Sequence, residues 1–118
     1  MAADPVEEGT DREQEIGRRQ SLFRELNERI EELAGSFDLL EALPIVCECG
    51  STSCDDRIEM TVSEYEKLRS DPTHFAVMSG HDIPHVERVV EENERYVVVE
   101  KFGASAAEAI QLDPRRKT

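Results

Sequence analysis

The chain has 118 residues, of which 38% are hydrophobic, 5% aromatic and none tryptophan. That length sets an expectation of one domain with a modest core, which a metal clip would supplement. A net charge of −13, from 27 acidic against 14 basic side chains, repels phosphate backbones and anionic lipid heads, so neither nucleic acid nor membrane is an expected partner.

In chain order, residues 1–9 read as a disordered acidic tail. They show neither the basic stretch nor the apolar run of a secretory leader. Thr10 and Glu13 have capping-box spacing and predict an amphipathic helix over residues 10–34, with Gly35-Ser36 as its C-cap. Ile16, Phe23, Ile30 and Phe37 recur by sevens, and so do Leu26, Leu33 and Leu40. Such a stripe docks on the chain's own sheet or on a partner. Phe23, Leu26, Ile30 and Leu33 are therefore the candidate partner-binding residues, with self-association as one outcome.

From residue 44 the period changes to two. Residues 44–112 are expected to form a zinc-stabilised α+β domain. Ile45 to Cys49 reads as a strand, Gly50-Ser51-Thr52-Ser53 as a turn and Asp56 to Met60 as the returning strand. Thr61 and Glu64 form a second capping box, opening a short helix that Asp71-Pro72 closes. His74 to Met78 is a further strand and Ser79 to Pro84 a loop. Val86 to Glu91 and Arg95 to Phe102 read as the arms of a hairpin, although the spacing of Val86, Val89 and Val90 also fits a helix. Ala104 to Leu112 is a short helix stopped by Asp113-Pro114, and residues 113–118 are a loose basic tail. Tyr65, Phe75 and Tyr96 read as core. The expected class is α+β, a long N-terminal helix packed on a small, mostly antiparallel sheet.

All three cysteines fall within eight residues, Cys47, Cys49 and Cys54, spaced C-x-C-x4-C. An odd count argues against a secreted disulfide framework and suits a reducing cytoplasm. On an extended strand Cys47 and Cys49 would share a face about 6.6 Å apart, wide for a disulfide and workable for two thiolates on one ion, and Glu48 would face the other way. Three thiolates leave a fourth tetrahedral position. His81 is the expected ligand, because Gly80 permits an unusual backbone turn beside it. His85 is second, His74 a surface residue, and the carboxylates of Asp55 and Glu48 are harder alternatives. The expected cofactor is zinc. A [2Fe–2S] unit held by three cysteines and a histidine is the competing cofactor, although the glycine and histidine that would follow Cys54-Asp55 are missing.

The strings Leu22-Phe23-Arg24-Glu25-Leu26-Asn27-Glu28-Arg29-Ile30, Val46-Cys47-Glu48-Cys49, Cys54, Ile58-Glu59-Met60-Thr61, Glu64-Tyr65, Gly80-His81, Glu87-Arg88-Val89-Val90 and Tyr96-Val97-Val98-Val99-Glu100-Lys101 together cover most of residues 20–102. In them the chain resembles a group of small, uncharacterised actinobacterial proteins. The resemblance implies a cytoplasmic bacterial protein with the cysteines and Gly-His inside the shared pattern. It implies no activity. The sequence has no nucleophile elbow, P-loop, dinucleotide fingerprint, H-E-x-x-H helix or zinc-deaminase signature. The expected role is therefore a non-catalytic protein-binding or regulatory module, with a thiol redox or metal-responsive switch on the same cysteines as the alternative.

Overall fold

In the computed structural model, residues 5–37, 42–51 and 53–115 are described, with side chains of the first helix from residue 15 to 33. The chain is α+β. Helix α1 (Pro5–Phe37) leads into strands β1 (Ala42–Val46) and β2 (Arg57–Thr61), helix α2 (Val62–Arg69), strands β3 (His74–Val77), β4 (Glu87–Glu92) and β5 (Val97–Lys101), and helix α3 (Gly103–Gln111). There are two small antiparallel sheets instead of one, β1–β2 and β3–β5–β4. Among the described residues no helix is long and apolar enough to cross a membrane.

The first helix differs from expectation at both ends. It begins at Pro5, so Thr10 lies inside it and residues 5–9 belong to the helix, not to a tail. Proline suits a first helical turn, where its missing N–H is not needed. The helix also runs past Gly35 to Phe37. The side chains of Phe37 and Leu40 are outside the described residues.

The larger difference is the face that α1 buries. Gln20, Arg24 and Asn27 are 0%, 1% and 0% exposed, whereas Leu22, Leu26 and Leu33 are 61%, 46% and 59% exposed. Spacing by four and then three puts the three polar residues on one helical face. Ile30 is half-buried against the core and Phe23 is half-buried. The leucine row is thus solvent-facing, and a polar stripe docks the helix.

The strands follow the period-two rule. Leu43 and Ile45 of β1 point inward opposite Met60 and Ile58 of β2, with Pro44 and Glu59 paired on the outer face. In the second sheet, β3 supplies Phe75, Ala76 and Val77 to the core, and β5 supplies Val97, Val98 and Val99. Pairing of β4 with β5 makes the first hairpin arm a strand, with an irregularity between Val89 and Glu91. Tyr65, Phe75 and Tyr96 are all buried. Helix α2 carries the expected capping box: Glu64 N–H donates to Thr61 Oγ1 at 3.0 Å and Thr61 N–H donates to Glu64 at 2.8 Å.

The segment after α3 is strapped down, contrary to the expected loose tail. Buried Arg69 of α2 pairs with Asp113 and lies 3.7 Å from Glu28 of α1. Arg115 bonds Glu28, Glu31 and Glu66 at once. Residues 116–118 lie outside the described residues. Burial, reinforced by Glu66, raises the Glu31 pKa to about 7. A raised carboxyl pKa gives stability that is present below the ordinary 4.5 and lost as pH rises through about 7. Glu31→Gln, which imitates the protonated form, should therefore flatten the thermal-stability profile between pH 5 and 8, with its largest relative gain at pH 8. An unchanged slope would count against it.

Candidate metal centre

The three cysteines are set by how the chain leaves β1. Cys47 N–H still donates to Asp56 O, at 3.0 Å, in the manner of the β1–β2 sheet. The next N–H, of Glu48, crosses to Ala76 O of β3 at 2.9 Å. The cysteine segment therefore bridges the two sheets. It is not the strand expected over residues 45–49, which ends at Val46.

The polar stripe of α1 explains why. Asn27 accepts from Val46 N–H at 2.7 Å and donates to Val46 O at 3.0 Å, as a neighbouring strand would. Gln20 donates to Glu48 O at 3.2 Å. The Glu48 side chain points away from the cysteines into the protein. Its carboxylate accepts from Arg24 at 3.3 Å, Asn27 at 3.0 Å and Ala76 N–H at 3.0 Å. Arg24 also donates to the carbonyls of Pro72 and His74 and lies 3.6 Å from the centre of the Phe75 ring. Burial pulls the Arg24 pKa down and Glu48 opposes that pull. Gly50 then turns the chain at φ 78°, so close to α1 that an added Cβ would lie 2.9 Å from Gln20 Cγ and 3.1 Å from the Ile16 carbonyl. A side chain there would meet both a left-handed backbone and the helix.

His81 arrives from the other side. His81 N–H donates to Met78 O at 2.9 Å, closing a four-residue turn whose third residue, Gly80, has φ 87°. That positive φ is what a type II turn asks of its third position. The imidazole Nδ1 lies 3.6 Å from Cys47 Sγ and 3.5 Å from Cys54 Sγ. The ligand atoms of Cys47, Cys49, Cys54 and His81 all lie within 4.8 Å of one another. These four residues could hold a metal ion.

The other candidate ligands stand elsewhere. His74 bonds Glu100 at 2.9 Å, and with Asp71 forms a separate half-buried group. His85 is exposed and borders a small cavity beside α1 and α3. Glu48 is committed to Arg24, and Asp55 is exposed outside the cluster. Cys47 and Cys49 are buried, and Met78 N–H donates to Cys47 Sγ at 3.2 Å. Burial pushes the free Cys47 thiol, and that of Cys54, above the usual range.

Sequence reasoning missed Asp56. Its Oδ2 lies 3.8 Å from His81 Nε2, the nitrogen turned away from the sulfurs, and 3.8 Å from Cys54 Sγ. A carboxylate on the outer nitrogen of a ligating imidazole fixes its tautomer and orientation. The contact is longer than a hydrogen bond, so the effect should sit at the low end of the usual range. Asp56→Asn should weaken metal retention by roughly tenfold, measured by competition with a chromogenic chelator. Equal affinity in the two proteins would remove Asp56 from the centre.

Comparison of the chain with protein-family models, with curated proteins and with solved structures gives no match.

Proposed function

We propose that the protein is a zinc-stabilised, non-catalytic binding or regulatory module. One observation carries the zinc: the separations of 3.5 and 3.6 Å between His81 Nδ1 and the sulfurs of Cys54 and Cys47. Zn–S bonds of about 2.3 Å and a Zn–N bond of about 2.0 Å, set at the tetrahedral angle, give an S···N edge of about 3.5 Å. A binuclear iron–sulfur unit would place its terminal ligands on two irons with sulfides between them, a wider set than this one. Four protein ligands also fill a tetrahedral shell, leaving no position for the water that a catalytic zinc activates. That supports a structural role for the ion.

The binding role draws on α1. Its exposed Leu22, Leu26 and Leu33 follow the four-then-three rhythm of an interaction seam, interrupted by Arg29. Phe23 and Ile30 flank this row half-buried, so Leu26 and Leu33 are the members of the expected set that face solvent. The net charge of −13 favours a protein partner over nucleic acid. Three free cysteines suit a reducing compartment such as the cytoplasm.

Native mass spectrometry of chain purified without chelator tests the metal: one zinc per chain and no colour is the expected result. A metal-free chain with three freely titrating thiols, or a red-brown one carrying iron, would defeat it. Capture from the native host tests the surface. A partner, or a second copy, held by the wild type and lost on Leu26→Glu is expected; binding indifferent to that change rejects the helix as the interface.

A second reading, a thiol redox or metal-responsive switch, is favoured by one observation. Cys54 is only half-buried and opens onto a cleft of about 550 Å³.

A further inference from the structure

We propose that Cys54 is the modification site of this cluster: a small uncharged peroxide oxidises it first, Cys49 then closes a disulfide on it, and the metal is released. The inference rests on the zinc reading above and supplies the entry point and oxidant class for the switch.

The three sulfurs are not equivalent. Cys47 is 2% exposed, and Met78 N–H donates to its sulfur from the protein side. Cys49 is 5% exposed and Cys54 is the half-buried one. Cys49 and Cys54 line the same open cleft, together with Arg19, Asp55, Asp56 and His81. A reagent entering from solvent therefore meets Cys54 before the other two. A sulfur held on zinc keeps thiolate character, the form that attacks peroxide.

The cleft also selects by charge. Asp55 is exposed and the Asp56 side chain is 50% exposed on its rim. Among the described residues that line the cleft, Arg19 is the cationic side chain, and it is already paired with Glu15 at 2.6 Å. Within a chain of net charge −13, an anionic disulfide such as oxidised glutathione is repelled, whereas hydrogen peroxide is not.

The chemistry closes on itself. The Cys54 thiolate attacks one oxygen of hydrogen peroxide, the O–O bond breaks, and Cys54 sulfenic acid forms as hydroxide leaves. The Cys49 thiolate then attacks the sulfenyl sulfur, the S–O bond breaks, the S–S bond forms and a second hydroxide leaves. Two thiolates have lost two electrons, and the peroxide has become two hydroxides that take two protons from solvent. Cys47 and His81 alone then face the ion. Two ligands do not complete a tetrahedral zinc shell, so it departs.

The test uses the full chain, with its zinc content measured first. One equivalent of hydrogen peroxide is added with dimedone present, and the label is located by peptide mass mapping. Label on Cys54 is expected. Without dimedone, a Cys49–Cys54 disulfide should accumulate in step with one zinc released per chain, read by a chromogenic chelator. Oxidised glutathione at the same concentration should release zinc more slowly by about tenfold or more, and Asp55→Asn should narrow that gap. First labelling at Cys47 or Cys49, zinc retained once Cys54 is oxidised, or equal rates with the two oxidants would overturn the inference. A chain that carries no zinc at the outset sinks the metal reading as well; a zinc-loaded chain with unlabelled Cys54 sinks the switch alone.

Discussion

Stripping the metal with a chelator should lower the melting temperature by roughly 15 °C, and Cys47→Ser should do the same in metal-replete buffer. The magnitude follows from linkage. At free zinc 1,000 times the dissociation constant, binding to the folded state alone stabilises it by about 4 kcal/mol, and each kcal/mol shifts a domain of this size by about 4 °C. The location makes the loss global. The centre joins the cysteine bridge between the two sheets to the turn that follows β3. Metal binding must displace protons from thiols that burial pushes up, so retention should tighten as pH rises and fail as pH falls. The decisive comparison is made in excess chelator. There wild type and Cys47→Ser should melt within a few degrees of each other, because the ion and not the thiol supplies the stability. A wild-type chain whose melting is indifferent to chelator would show that the sulfurs gather for another reason.

The cluster of Cys47, Cys49, Cys54 and His81 was legible because its signals are local. Three soft side chains in eight residues, and a histidine directly after a glycine, announce themselves in the chain. Gly80 does adopt the positive φ expected of it. The Thr61–Glu64 box and the alternation around Ile58 and Met60 are likewise carried by neighbours in sequence. What escaped depends on long-range partners. Hydrophobic periodicity looks for apolar stripes, and the residues α1 buries most fully are Gln20, Arg24 and Asn27, with Phe23 and Ile30 half-buried, so the leucine row drew attention to the outer face. The polar stripe had its own regular spacing, yet only the burial of Glu48 gives it meaning. The bridging of Cys47 and Glu48 between sheets was invisible for the same reason: their backbone partners, Asp56 and Ala76, come from two different strand systems. The start of the first helix moved by several residues because Pro5, a good first helical residue, opens it ahead of the capping signal at Thr10.

Glu48→Gln should destabilise the protein by about 3–5 kcal/mol although it changes one heavy atom and leaves Cys47, Cys49, Cys54 and His81 in place. Every group facing the Glu48 carboxylate is a donor: Arg24 and Ala76 N–H on one oxygen, Asn27 on the other. A glutamine amide has one oxygen and one NH2, so either orientation turns a donor against a donor. Asn27 cannot flip to accommodate it, because its own oxygen and nitrogen are both committed to Val46. Arg24, 1% exposed, is left in either orientation without its counter-charge, among neutral acceptors such as the carbonyls of Pro72 and His74. Adding Arg24→Met to Glu48→Gln should recover part of the loss, since the uncompensated charge goes with the guanidinium. Chemical denaturation of the four proteins gives the coupling; strictly additive losses would mean that the two residues do not form a functional pair. Repeating the series in excess chelator separates this network from the centre it supports. The cost of Cys47→Ser should vanish there, while the cost of Glu48→Gln persists, because the polar stripe holds the bridge to α1 whether or not an ion is bound. If both costs vanish together, Glu48 acts only through the metal, and the helix is not an independent anchor of the cysteine segment.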